Sequence, residues 1–503
     1  MGSTERRRRR VLAIGLDAAE PWLVRRMIEA GELPSLRRLL EGGGAWNRVE
    51  SPATVGSGAV WPTFMTGTDA HEHGIHSEWS WQPERMRLDA VTNDHLTPFW
   101  KGLALGGVRV GVLDVPFAPM IGLSDGFEIS EWGSHDPLAG RMLVSPPALN
   151  DMIARSVGPH PFSSAVSDAT APDAQDELKR HGEACLQGAE QRGTLAAQLL
   201  SEIPVDLSLI VFTEIHHASH RLWHTVERAQ SVADRETHKE SASDTVLLNV
   251  YREVDRQIGR LVALAGSEAT VVVFSLHGMR ACQGIASLTE PLLIHLGFAH
   301  LSGWRTQSWA ERAKMTLSAI KRHTPRPVKD AYYGLMSRSV ITRLAQPTML
   351  PAYDWLRTRA FALPTDQHGW IRVNLAGREA LGAVDESEYE ETCDSIEKSL
   401  RALVTEDGSP LVQDVLRPAL GNGGSPPHKL PDIVIHWTDA ALANGLRLQD
   451  HALETRAVAL KQTGQHAPEG FCIVTNGVGP LPAGQLIAAR DLHRLIVSAL
   501  APG

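Results

Sequence analysis

Apolar residues recur along this chain with two spacings, and their alternation predicts its architecture. Residues 11–16 (Val-Leu-Ala-Ile-Gly-Leu) form a continuous apolar run, the pattern of a strand buried on both faces. The run ends at Asp17. Apolar Leu23, Met27, Ile28, Leu36, Leu39 and Leu40 then follow at helical spacing, predicting a helix over residues 20–40 that stops at Gly42-Gly43-Gly44. Strand patterns return at 108–113, 207–212 and 270–274, with helical patterns at 194–200 and 245–264. In the last third, strands are expected at 371–374, 433–436 and 471–475, and a helix over 386–404. Such alternation predicts an α/β fold, a mostly parallel central sheet covered by helices on both faces.

The length of 503 residues exceeds what one hydrophobic core fills, so insertions or a second domain are expected. Residues 301–344 carry Arg305, Arg312, Lys314, Lys321, Arg322, Arg326 and Lys329 against few acids. They read as an inserted basic helical segment, either a solvated face or an attraction for an anionic substrate. The expected layout is therefore a core over 11–300, a helical insertion or lid over 301–350, and the rest of the core over 351–500.

Charge and cysteine content narrow the function classes. A hydrophobic fraction of 43% with 21% charged residues is that of a folded globular chain. The net charge of −9 gives no sign of a nucleic-acid partner, and the arginines at 6–10 read as a solvated arm. Four widely spaced cysteines, Cys185, Cys282, Cys393 and Cys472, indicate neither a disulfide framework nor a thiolate zinc site. The apolar run at 11–16 is too short for a signal segment, and no stretch approaches the roughly 20 apolar residues of a membrane span. A cytoplasmic protein with no membrane partner is expected; the oligomeric state is not legible.

In a sheet of this kind, ligands bind beyond the carboxyl ends of the strands, so the residues there carry the candidate chemistry. They are Asp17, the segment Glu214-Ile215-His216-His217-Ala218-Ser219-His220, then Ser275-Leu276-His277-Gly278, and Gly464-Gln465-His466 after the later strand pattern. His216 and His220 are four apart, which on a helix points both imidazoles at one place and suits zinc; taken alone, the pair also fits a polar helix surface. Glu131-Trp132-Gly133-Ser134-His135-Asp136 reads as a loop. Its Glu131, His135 and Asp136 could touch substrate or supply a ligand, and a turn with internally satisfied polar groups fits equally well.

Taken in order, Gly15-Leu16-Asp17, the Ser57 segment ending in Thr66-Gly67, His73-Gly74-Ile75, His216/His220, Ser275-Leu276-His277-Gly278-Met279 and Gly464-Gln465-His466 form one series from residue 11 to about 479. That series resembles the type I phosphodiesterase/nucleotide pyrophosphatase branch of the alkaline phosphatase superfamily. The resemblance implies an alkaline-phosphatase-like fold and a metal-dependent hydrolase of phosphate esters, diesters foremost, acting through a phosphoserine intermediate. In that family a sheet-end aspartate, the nucleophile and an Asp-His dipeptide hold one zinc, while a D-x-x-x-H pair and a late histidine hold another. Carried over, Asp17, Ser57 and His277 fall at the first position, and His216, His220 and His466 at the second.

The family spacing of ten residues before the glycine of Thr-Gly selects Ser57 over Thr54 as nucleophile. An ordinary helix N-cap is the plainer reading of Ser57, and Pro62 sits awkwardly inside the expected helix. Two positions depart from the family: His216 and Leu276 stand where it has aspartate. Two zinc sites of unequal affinity are therefore expected, the one beside Leu276 weaker. Glu214 either replaces the lost carboxylate or orients His216 or His220. The partner implied is a small-molecule phosphate ester. A phospho- or sulfo-group transferase or sulfatase, or a non-catalytic metal-binding relative, are the competing readings.

Overall fold

Continuous apolar strands need cover on both sides, and the central sheet provides it. The structure, a computed structural model, describes residues 9–134, 138, 141–161, 175–233, 246–282, 288–302, 349–365, 367–405, 408–418, 426–438, 446–448, 451–453, 462–475 and 483–501. Most of the expected 301–350 insertion, the arginines at 6–8, and His135 and Asp136 lie outside these residues. The chain divides into two compact units, Met1–Asp69 with Thr92–Cys282 and Leu460–Gly503, and Ala70–Val91 with Gln283–Ala459.

The first unit is built on a nine-stranded sheet. In spatial order its strands are Leu486–Ala488, Ala45–Glu50, Glu469–Val474, Thr270–Ser275, Val11–Leu16, Leu207–Phe212, Val110–Leu113, Gly126–Ser130 and Leu143–Ser145. The Val11–Leu16 strand is central and pairs in parallel with Leu207–Phe212 on one side and Thr270–Ser275 on the other. Glu469–Val474 and Leu143–Ser145 run antiparallel to their neighbours, which makes the sheet mixed but mostly parallel. Every residue of the Val11–Leu16, Leu207–Phe212 and Thr270–Ser275 strands is buried. Each fully buried Val, Leu or Phe contributes about 1.5–3 kcal/mol relative to exposure, so these strands are the best-anchored platform in the unit. The helices Gln175–Glu202, Glu214–Ala233 and Val246–Ala265 pack against one another beside it.

The single helix expected over 20–40 is two, Pro21–Glu29 and Pro34–Glu41. Gly31 takes φ 78°, a left-handed conformation that ends the first helix, and Pro34 begins the second. The helix expected over 386–404 is a short 3-10 turn, Glu386–Glu388, running into Tyr389–Arg401.

The second unit has its own four-stranded sheet, in the order Ala360–Leu363, Gly369–Val373, Ile433–Trp437, Val412–Leu416, all antiparallel. Two strands expected to extend the central sheet, near 371–374 and 433–436, belong here. Buried Arg372 and partly buried Arg378 pair with Glu379, and Arg378 also with Asp432, tying this unit together internally. Among the described residues, no helix is long and apolar enough to cross a membrane.

Candidate metal centre

Three strands of the central sheet deliver the candidate residues to one edge. Asp17 follows the first strand and its N–H donates to Phe212 O of the neighbouring strand (2.9 Å). Ala18 then takes φ 58°, a conformation that L residues adopt at some cost, and turns the chain away so that the aspartate stays at the sheet edge. The helix Glu214–Ala233 starts two residues after Phe212 and carries His216 and His220 on successive turns. His277 lies two residues beyond the strand Thr270–Ser275. His466 comes from a short strand of its own, Gly464–Ala467, paired antiparallel with Gly278–Ala281, so Met279 faces His466 across that ribbon. It does not simply follow the strand at 433–437, as the sequence pattern suggested.

The imidazoles converge. His216 Nε2 is 2.8 Å from His220 Nε2 and 2.7 Å from His466 Nε2. The other nitrogens of the helical pair face acceptors: His216 Nδ1 is 2.6 Å from Asp17 Oδ2, and His220 Nδ1 is 3.0 Å from Gly464 O. With Nδ1–H donated to each acceptor, the Nε2 lone pairs of His216 and His220 are turned on one another at a distance that repels them. A cation shared by His216, His220 and His466 relieves that repulsion, and three neutral imidazoles are a donor set that suits zinc. The residues present fit a metal ion.

Asp17, His216, His220, His277 and His466 are between 2% and 6% exposed, so the cluster lies in low dielectric. Burial pushes the Asp17 carboxyl up, but the charge and hydrogen bonds of His216 and His277 outweigh it and hold the carboxyl well below its usual range. His277 Nε2 is 3.4 Å from Asp17 Oδ1, and its Nδ1 is 3.2 Å from Gly278 O. Trp61 reaches the same carboxylate, its indole N–H donating to Oδ1 (2.9 Å). This approach requires Gly15: a Cβ there would stand 2.8 Å from Trp61 Cη2.

Ser57 opens a 3-10 turn, Ser57–Ala59, that runs into the buried helix Val60–Thr66, whose second residue is Trp61. Gly56 occupies the cap position, so Ser57 is not the N-cap. It is half-buried. Pro62 is the third residue of that helix, within the first turn, where a missing N–H leaves no bond unmade. Thr54 ends a separate 3-10 turn, Pro52–Thr54. Leu276 is wholly buried with the apolar core.

Glu214, at the start of the same helix, takes part in a separate set of contacts. Its Oε1 accepts from Arg192 Nε (2.8 Å) and lies 2.9 Å from His160 Nε2, with all three side chains fully buried. Burial raises its pKa, and the charges of Arg192 and His160 outweigh this to leave it lowered. Arg192 also donates to Asp114 Oδ2 (2.7 Å) and to the Thr213 hydroxyl (3.0 Å). Asp114 in turn accepts from the N–H groups of Trp132 (2.8 Å) and Gly133 (2.6 Å) and from the Ser134 hydroxyl (3.1 Å). The loop after Glu131 is thereby anchored, and Glu131 Oε1 accepts from Leu138 N–H (2.5 Å). Sequence reading missed Asp114 and Arg192, although Asp114 ends a strand just as Asp17 does.

A family model described as type I phosphodiesterase / nucleotide pyrophosphatase matches residues 11–439. His466 lies beyond the matched segment, and it is the antiparallel ribbon that brings it to the cluster. No curated protein matches the chain significantly. Among solved structures, phosphonoacetate hydrolase from Sinorhizobium meliloti 1021, in complex with phosphonoformate, is similar over 98% of this chain and 96% of its own, at 16% identity and a TM-score of 0.53. Wild-type alkaline phosphatase PafA is similar over 99% and 96%, at 11% identity and a TM-score of 0.50. These likenesses concern the fold, which is alkaline-phosphatase-like.

Proposed function

The chain belongs to the type I phosphodiesterase / nucleotide pyrophosphatase family and is a phosphoester hydrolase, and from that premise we propose that it cleaves small-molecule phosphate esters, diesters foremost, by attack of Ser57 on phosphorus beside a zinc ion held by His216, His220 and His466. The observation that carries the reading is the convergence of three imidazole Nε2 atoms, with gaps of 2.8 Å and 2.7 Å, beside a carboxylate. The other set that the family pattern implies, Asp17, Ser57 and His277, lacks a carboxylate at Leu276 and is the poorer donor set for metal.

Ser57 Oγ forms a bond to phosphorus as the bond to the leaving alkoxide breaks on the opposite side. The serine proton departs, the alkoxide is protonated, and water then splits the phosphoserine ester to release the monoester and restore the hydroxyl. Zinc held by His216, His220 and His466 would supply Lewis acidity, neutralising charge on the phosphoryl group. The protein's own part is orientation. Asp17 and Gly464 O hold the His216 and His220 rings, and the packed helix after Ser57 fixes the nucleophile's turn.

Metal analysis of the purified protein, alongside a screen of aryl phosphate mono- and diesters and aryl sulfates, tests this. Zinc together with turnover of a phosphate ester is expected. Turnover confined to aryl sulfates would transfer the assignment to a sulfatase, and zinc binding without turnover would support a binding role.

A further inference from the structure

Resting on the zinc reading above, we infer that the chain holds one metal ion rather than two, and that Asp17 positions His216 instead of ligating a second ion. The family pattern supplies three carboxylates to a pair of ions; this chain keeps Asp17 and has His216 and Leu276 at the other two positions. Two divalent ions would bring four positive charges into a cluster that is between 2% and 6% exposed, where uncompensated charge is costly. A single ion leaves the centre near neutrality once Asp17 and an anionic fourth ligand are counted.

The geometry agrees with the charge. Asp17 Oδ2 is committed to His216 Nδ1 at 2.6 Å, and Oδ1 takes the Trp61 indole N–H at 2.9 Å. Both nitrogens of His277 face acceptor oxygens, Gly278 O at 3.2 Å and Asp17 Oδ1 at 3.4 Å. Among the described residues, two nearby carboxyls are engaged by other groups, at least through one oxygen. Glu214 Oε1 is held by Arg192 and His160, and Glu20 accepts from the N–H groups of Met279 and Trp22. Asp17, His216 and the ion then form a carboxylate–histidine–metal relay, in which the carboxylate fixes the ring's tautomer and aim.

The test counts metal and does not depend on turnover. Zinc-saturated full-length protein, freed of loose metal by gel filtration, is expected to hold one zinc per chain by mass spectrometry. Calorimetric titration of chelator-stripped protein should give one step of unit stoichiometry. Asp17→Asn should keep that stoichiometry, weaken binding about 10–100-fold, and shift the visible spectrum when cobalt(II) replaces zinc, since the ring it aims is a ligand. Two zinc ions per wild-type chain, or an Asp17→Asn protein that drops from two to one, would overturn the single-ion inference alone. No zinc in the wild type, or zinc binding untouched in His220→Ala, would instead overturn the zinc reading beneath it.

Discussion

Asp17 and Asp114 end strands that lie on either side of Leu207–Phe212 in the same sheet, and their partners differ in kind. Asp17 meets imidazoles and an indole; Asp114 meets a guanidinium, two backbone N–H groups and a hydroxyl. Arginine keeps its proton in proteins and offers no lone pair, so Arg192 binds Asp114 and Glu214 as an ion network, and Asp114 in turn fixes backbone. Imidazole can be neutral at one nitrogen while donating from the other, so the Asp17 set can hold a metal. Two aspartates at similar strand ends thus differ in what they could support because of which bases face them. Thr213 and Glu214 join the two regions: they lie in the arginine network and lead directly into the helix of His216.

The sharpest separation comes from Ser57→Ala, which removes none of the hydrogen bonds described for either network. Turnover should fall by at least about a thousandfold, as for loss of a nucleophile, while zinc content and unfolding midpoint stay near wild type. Activity retained in this variant would move the nucleophile elsewhere, with Thr54→Ala next to try.

Arg192→Met should act on the other region. Removing one partner leaves Asp114 and Glu214 buried with their charges exposed to low dielectric, at a cost of about 3–5 kcal/mol. Urea unfolding measures that loss, and the refolded protein should still take up zinc. Should Arg192→Met lose zinc while its stability stays unchanged, the division between a structural and a metal-holding network would fail. His466→Ala should do the reverse: zinc affinity falls by more than about 100-fold, beyond the loss typical of an indirect contact. The urea midpoint of metal-free His466→Ala should match that of metal-free wild type.

How much of this was legible in the sequence follows from the range of the interactions. Strands buried on both faces announce themselves as apolar runs, so residues 11–16, 207–212 and 270–274 were placed with their end residues Asp17, Glu214 and His277. An apolar run does not say which sheet it joins, and so the strands Gly369–Val373 and Ile433–Trp437 were assigned to the wrong one. The periodicity across residues 20–40 was real, but Gly31 and Pro34 outweigh it locally. Glu214's bond to Arg192 was hidden because its partners Arg192 and His160 lie 22 and 54 residues upstream. The strand-end rule that singled out Asp17 would have flagged Asp114 too. His466 was found by motif order, and its delivery by a two-stranded ribbon rests on pairing across nearly 190 residues, which no local pattern encodes.

The smallest effect expected lies just outside the metal centre, at a carboxyl with neither imidazole nor guanidinium for partner. Glu20 is 7% exposed; its Oε2 accepts from Met279 N–H (2.9 Å) and its Oε1 from Trp22 N–H (3.4 Å). Burial raises its pKa from 4.5 to about 7, the two N–H groups opposing and the charge of Glu469 adding to the rise. Between those two values the folded chain holds a proton that the unfolded chain has released. Stability contributed by the neutral form is therefore present near pH 4 and is lost as pH rises through 7. The rise from 4.5 to about 7 bounds that loss at roughly 3 kcal/mol. Glu20→Gln keeps an acceptor for Met279 N–H and has no proton to lose, so its stability relative to wild type should climb between pH 5 and pH 8. Urea midpoints at the two pH values measure the difference. A constant offset would mean that Glu20 titrates near its ordinary value, and that backbone N–H donors alone support a buried carboxylate as well as the imidazoles support Asp17.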